Sequence, residues 1–95
     1  MPAPNSTEAQ KAAQKLWEKA LALAAGELIL HENQGRKPPG FWAQLKLKRA
    51  AKLLEQVVQL VPNHWNSMWV LGKTVQRLGN EPGAFEWFVK AWDKA

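Results

Sequence analysis

Ninety-five residues are one domain's worth of chain, close to the smallest size that buries a self-sufficient core. The composition is globular, with 46% hydrophobic and 22% charged residues. Cysteine is absent, which excludes disulfides, thiolate metal sites and cysteine nucleophiles, and makes a reducing, cytoplasmic compartment the expectation.

The net charge of +5 is unevenly placed. Residues 41–62 carry four basic side chains and one acidic one, whereas the segments before and after are nearly balanced. Six tryptophans occur without a single tyrosine; such side chains supply buried area and also anchor binding surfaces. The stretch from Met1 to Glu8 lacks a basic region followed by an apolar one, so no secretory signal is expected. The longest apolar run, Ala20 to Leu30, is interrupted by Gly26 and Glu27 and is too short to span a bilayer.

Proline and glycine divide the chain. Gly35 to Gly40 with its Pro38-Pro39 pair, then Pro62-Asn63, then Gly79 to Gly83 each separate apolar segments. Between these breaks apolar residues recur at helical spacing, and no alternating β-branched stretch competes. The expectation is an all-α fold of four helices in two antiparallel hairpins. After a tail at residues 1–5, the helices run over about 6–31, 41–61, 64–78 and 82–95, with a loop at 32–40, all in one domain over 6–95.

Helix one starts near Ser6 or Thr7, where Thr7 and Gln10 have capping-box spacing. Its stripe is Ala9, Ala13, Leu16, Trp17, Ala20, Leu21, Ala24 and Leu28. In helix two, Leu47, Ala50, Ala51, Leu54, Val57, Val58 and Val61 share an arc of about 120°. Lys48, Arg49, Lys52, Glu55, Gln56 and Gln59 take the other side. Helix three has Asn63 as candidate N-cap, Gly79 as its stop and Met68, Leu71, Gly72, Val75 and Leu78 inward. Helix four carries Pro82 in its first turn, where proline is tolerated.

Helices two and four repeat at an offset of 34 residues: Ala50 with Ala84, Leu54 with Phe88, Val57 with Ala91, Val58 with Trp92. The segment Met68, Leu71-Gly72, Val75, Gly79, Ala84, Phe88 and Ala91, with Pro62 closing the unit before it, resembles a tetratricopeptide repeat. The resemblance is good over 65–95 and covers 47–95; the first repeat is atypical. Lys37, 34 residues ahead of Leu71, falls in the proline-rich loop. Aligning Ala25-Gly26 and Ile29 with Leu71-Gly72 and Val75 requires an insertion near Gln34 to Leu45 and gives the first hairpin the longer helices. In the second repeat, Gly72 and Ala84 leave room for a close crossing, Gly79 turns the chain and Phe88 fills the groove.

The resemblance implies a protein-interaction module, an adaptor or assembly unit whose first helices line a surface for a peptide or partner helix. On helix three that surface is Asn66, Trp69, Lys73, Gln76 and Arg77. From the residues alone, Trp69 either packs beneath a side chain of helix one or is an exposed anchor flanked by Lys73 and Arg77. Val70 stands where the carboxylate-clamp members of the family usually hold an asparagine, so that activity is not carried over.

Helix four is unusual. Ala84, Phe85, Trp87, Phe88, Val89, Ala91, Trp92 and Ala95 cover roughly 200° of it, more than a terminal helix needs. Repeat arrays end in a polar capping helix and usually hold at least about three repeats. Phe85, Trp87, Val89 and Trp92 are therefore expected to dock on a second copy, giving a homodimer, or on another partner, unless the chain is a piece of a longer array.

Other signals are weaker. Lys46 with the basic face Lys48, Arg49 and Lys52 is ordinary solvated charge or, alternatively, a contact for nucleic acid or another anionic surface. Phe41-Trp42 reads first as a lid over the first hairpin and second as a membrane-insertion point. Glu27 and His31 make at most two metal ligands one turn apart, and His64 belongs to the turn into helix three. Ser6, Thr7, Ser67 and Thr74 have no basic partner at catalytic spacing, and Gly35 and Gly40 lack a phosphate-loop context. No enzyme, metal or cofactor is expected.

Overall fold

The computed structural model describes residues 3–34 and 39–95, and the side chains of 3–28 and 39–95. Met1, Pro2, residues 35–38 and the side chains of residues 29–34 lie outside the described residues. The described residues form helices α1 (Thr7–Gln34), α2 (Phe41–Leu60), α3 (Trp65–Arg77) and α4 (Glu81–Lys94). The fold is all-α: α1 packs on α2 and α3 on α4 as hairpins, joined where α3 packs on α2 and, less extensively, on α1. The first hairpin has the longer helices, 28 and 20 residues against 13 and 14.

The ends follow from local chemistry and correct several expected boundaries. Ser6, not Thr7, caps α1: its Oγ accepts from Ala9 N–H at 3.1 Å, while Gln10 reaches back to the Asn5 carbonyl. The tail is tied down, because Asn5 N–H donates to the Leu60 carbonyl at the end of α2. Helix α1 continues through Gln34, past the expected end at 31, since nothing from His31 to Gln34 breaks a helix. At α3 the cap is His64 rather than Asn63; its Nδ1 accepts from Ser67 N–H at 3.2 Å. The end of α3 is a Schellman motif: Asn80 N–H donates to the Val75 carbonyl and Gly79 N–H to that of Gln76, with Gly79 at φ +96°. One residue later Asn80 Oδ1 accepts from Gly83 N–H and starts α4 at Glu81.

The core has two parts. Ala9 and Ala13 meet Val57 and Leu60 near the start of α1; Ala20 and Ala24 meet Leu47, Ala50, Leu54 and Leu71 further along. Among the described side chains of α1, alanine holds every buried position, which lets that helix lie close to the larger side chains of α2. Trp17 touches both clusters and places its ring 5.2 Å from that of His64, linking α1 to the α3 cap.

Two buried positions on α3 are polar, against the expectation of an apolar inward face. Ser67 and Thr74 are fully covered. Each is satisfied locally: Ser67 Oγ lies 2.7 Å from His64 Nδ1, and Thr74 Oγ1 donates to the Val70 carbonyl at 2.8 Å. A hydroxyl bonded within its own helix can be buried at little cost.

The close crossing expected at Gly72 is present: a Cβ there would stand 2.5 Å from Phe88 Cε1. Gly26, aligned with Gly72 on sequence, is exposed with nothing within 4 Å of its Cβ position. The two glycines are not equivalent, so that alignment finds no counterpart in the packing. No helix among the described residues is long and apolar enough to cross a membrane.

Candidate functional site

Helix α4 is the outermost element. Among the described helices, its backbone packs against that of α3 alone. Only Ala84 and Ala91 are fully buried on it, with Trp87 and Phe88 half-buried. Phe85, Val89 and Trp92 are 69%, 47% and 84% exposed. At i, i+4 and i+7 these three fall within an arc of about 60°. They form one ridge.

Trp87 does not belong to that ridge, although the sequence groups it there. Its ring packs against the core cluster, with Lys90 Nζ 4.6 Å above the centroid. The position is about 140° from Trp92 around the helix, so the two tryptophans serve different sides.

Beside the ridge, α3 and α4 part to leave a cleft of about 260 Å³ lined by Trp65, Trp69, Ala91, Trp92 and Ala95. Every lining residue is apolar or aromatic. Trp69 is half-exposed and tilts against Phe88, ring centroids 4.8 Å apart, with Lys73 Nζ 5.8 Å from its own ring. It therefore packs on α4 and not beneath α1. The order Gly72, Phe88, Trp69 explains its position: the missing Cβ admits Phe88, and Phe88 supports Trp69.

The other predicted groove residues are not gathered into one concave surface. Asn66 is exposed, and Lys73 leans on Trp69. Gln76 Nε2 donates to Glu81 Oε2 at 3.4 Å, across the turn into α4. Arg77 is half-buried near the end of α3. Only Trp69 enters the cleft. Trp65 was missed, although it stands one helical turn before Trp69 on the same face, which is the signal that finds it.

A second exposed surface lies on α2. Phe41 and Trp42 are 68% and 74% exposed and touch edge to face, centroids 5.2 Å apart. They are not a lid over the first hairpin. Leu45, Lys46, Lys48, Arg49 and Lys52 are exposed as well. Glu27 is half-buried, and its pairing with His31 lies outside the described side chains.

Volume limits what the cleft can hold. Small-molecule pockets measure roughly 300–1,000 Å³ and mix apolar walls with placed polar groups, whereas this cleft is smaller and without polar lining. It suits a single anchoring side chain. No family model matches this chain, and neither the curated proteins nor the solved structures yield a match.

Proposed function

We propose that the protein is a non-catalytic interaction module whose first partner is a second copy of itself, paired through α4. The observation that carries this reading is the exposure of Phe85, Val89 and Trp92 as one ridge next to an apolar cleft. At about 150–250 Å² per fully buried aromatic, the exposed parts of these residues with Trp65 and Trp69 amount to about 600 Å². A standard interface buries about 800 Å² per partner, a little over half of it apolar. The ridge and cleft together meet that requirement.

An antiparallel pairing of two α4 helices uses the same patch twice, as a twofold interface must. The ridge of one copy lies along that of the other, so the Phe85 of each reaches the end where the other holds Trp92 and the cleft. Val89 then lies close to the twofold axis. The chain contains no cysteine, which gives a clean test. Val89→Cys should form an intermolecular disulfide under mild oxidation, because its two copies come within bonding range; Glu86→Cys, about 60° or more around the helix, should not. Sedimentation should show a dimer at high micromolar concentration and a monomer for Trp92→Glu. Monomeric wild type with no Val89→Cys cross-link would remove the self-association.

The same proposal includes the tetratricopeptide character of the second hairpin and a cytoplasmic location. Supporting the first are the Gly72–Phe88 approach and the shared burial of Ala50 with Ala84 and Val57 with Ala91. The exposed Trp92, against a half-buried Val58, is where the two units part. In such a unit the next repeat would cover the α4 ridge, and a second copy covers it equally well.

A further inference from the structure

We infer that the outer face of α2 is a docking surface for an anionic lipid bilayer, distinct from the α4 ridge. Phe41, Leu45, Lys48, Arg49 and Lys52 lie within about 120° of one another around the helix, with Trp42 at the edge of the same arc. All six are exposed. The face is ordered along its length: the first turn is apolar, with Phe41, Trp42 and Leu45, and the next two turns are cationic, with Lys48, Arg49 and Lys52. From Phe41 to Leu54 the helix carries four cations and no acid; Glu55 is its first carboxylate. The opposite side of α2, from Leu47 to Leu60, is buried against α1 and α3, so the outer face is the side left for a partner.

Folding does not account for this surface. An edge-to-face Phe41–Trp42 pair left more than two-thirds exposed gains little from burial within the chain. An apolar tip beside a basic collar matches the bilayer boundary, where aromatic rings enter the headgroup region and lysines and arginines meet anionic headgroups. One signal alone gives marginal, reversible attachment, and the two together give a stable one. A nucleic-acid duplex would use the collar but has no apolar layer to receive Phe41 and Leu45.

The experiment is co-sedimentation of the full chain with vesicles of phosphatidylserine and phosphatidylcholine, and with phosphatidylcholine alone. Binding should need phosphatidylserine and should weaken with salt. Lys48→Gln, Arg49→Gln and Lys52→Gln together should reduce partitioning on the order of a hundredfold. Phe41→Ser with Trp42→Ser should abolish whatever binding survives at high salt. These positions are exposed, so each variant should keep the wild-type thermal transition. A Leu45→Cys variant carrying an environment-sensitive dye should shift to the blue on the mixed vesicles only.

Absence of vesicle binding would overturn the inference. So would equal binding to neutral vesicles, or binding to duplex DNA that matches the anionic vesicles and is indifferent to Phe41→Ser and Trp42→Ser. The dimer is tested separately: Trp92→Glu should leave vesicle binding by the monomer in place, which keeps the failure of one proposal from being read as failure of the other.

Discussion

Two glycines on helices show what a single methyl group does in different surroundings. At Gly72 a Cβ would stand 2.5 Å from Phe88 Cε1, and Phe88 cannot retreat freely because Trp69 lies on it at 4.8 Å. Overpacking of this kind costs about 1–3 kcal/mol, more than the ~1 kcal/mol that alanine gains over glycine in helix propensity. Gly72→Ala should therefore destabilise by up to about 2 kcal/mol in urea unfolding. At Gly26 nothing lies within 4 Å, and the propensity term acts alone. Gly26→Ala should stabilise by about 0.5–1 kcal/mol. If both substitutions moved the midpoint in one direction, the packing of Phe88 between Gly72 and Trp69 would be wrong.

At the scale of the element, the caps separate what is local from what is not. His64 accepts from Ser67 N–H and also holds the buried Ser67 hydroxyl and the Trp17 ring. His64→Ala should cost about 1–2 kcal/mol, whereas Asn63→Ala, at an exposed position that caps nothing, should stay within about 0.5 kcal/mol. Chemical denaturation of both variants checks the cap assignment. Helix α4 is secured by two alanines, two half-buried aromatics and one neighbouring helix. Sparse burial lowers the free energy of local opening. In native-state hydrogen exchange of dilute protein, α4 amides should lose protection before those of Leu47 to Val57 in α2; equal protection throughout would show that α4 unfolds only with the whole.

For the molecule as a whole, pairing through α4 links stability to concentration. A partner that binds only the folded state raises the apparent melting temperature as concentration rises. Wild-type protein should melt higher at high than at low micromolar concentration, by a few degrees per kcal/mol of linkage. Trp92→Glu should melt at one temperature throughout, since a side chain 84% exposed contributes little to the monomer. A melting curve insensitive to wild-type concentration would place the ridge's partner elsewhere. It would leave the fold itself untouched.

Much of this architecture was readable in the residues. Apolar spacing located the four helices, because one face of each has to leave water whatever it then meets. Gly79 and Pro82 marked the last turn, because glycine readily adopts the positive φ that ends α3 and proline fits a helix only in its first turn. The solvated side of α2 was equally legible, since clustered charge has no low-cost place inside. Other features needed coordinates. Periodicity says that a side chain lies on a stripe, not which neighbour covers it; hence Trp87 turned to the core and Trp92 to solvent from a single broad arc of α4. Ser67 and Thr74 are buried because acceptors within three or four residues satisfy them, something hydrophobicity does not register. The cleft's Trp69 wall rests on Phe88, which Gly72 admits, and the cleft itself is lined by residues of two helices brought together by their crossing. Each helix follows from its own residues, but a site between helices depends on how their surfaces meet.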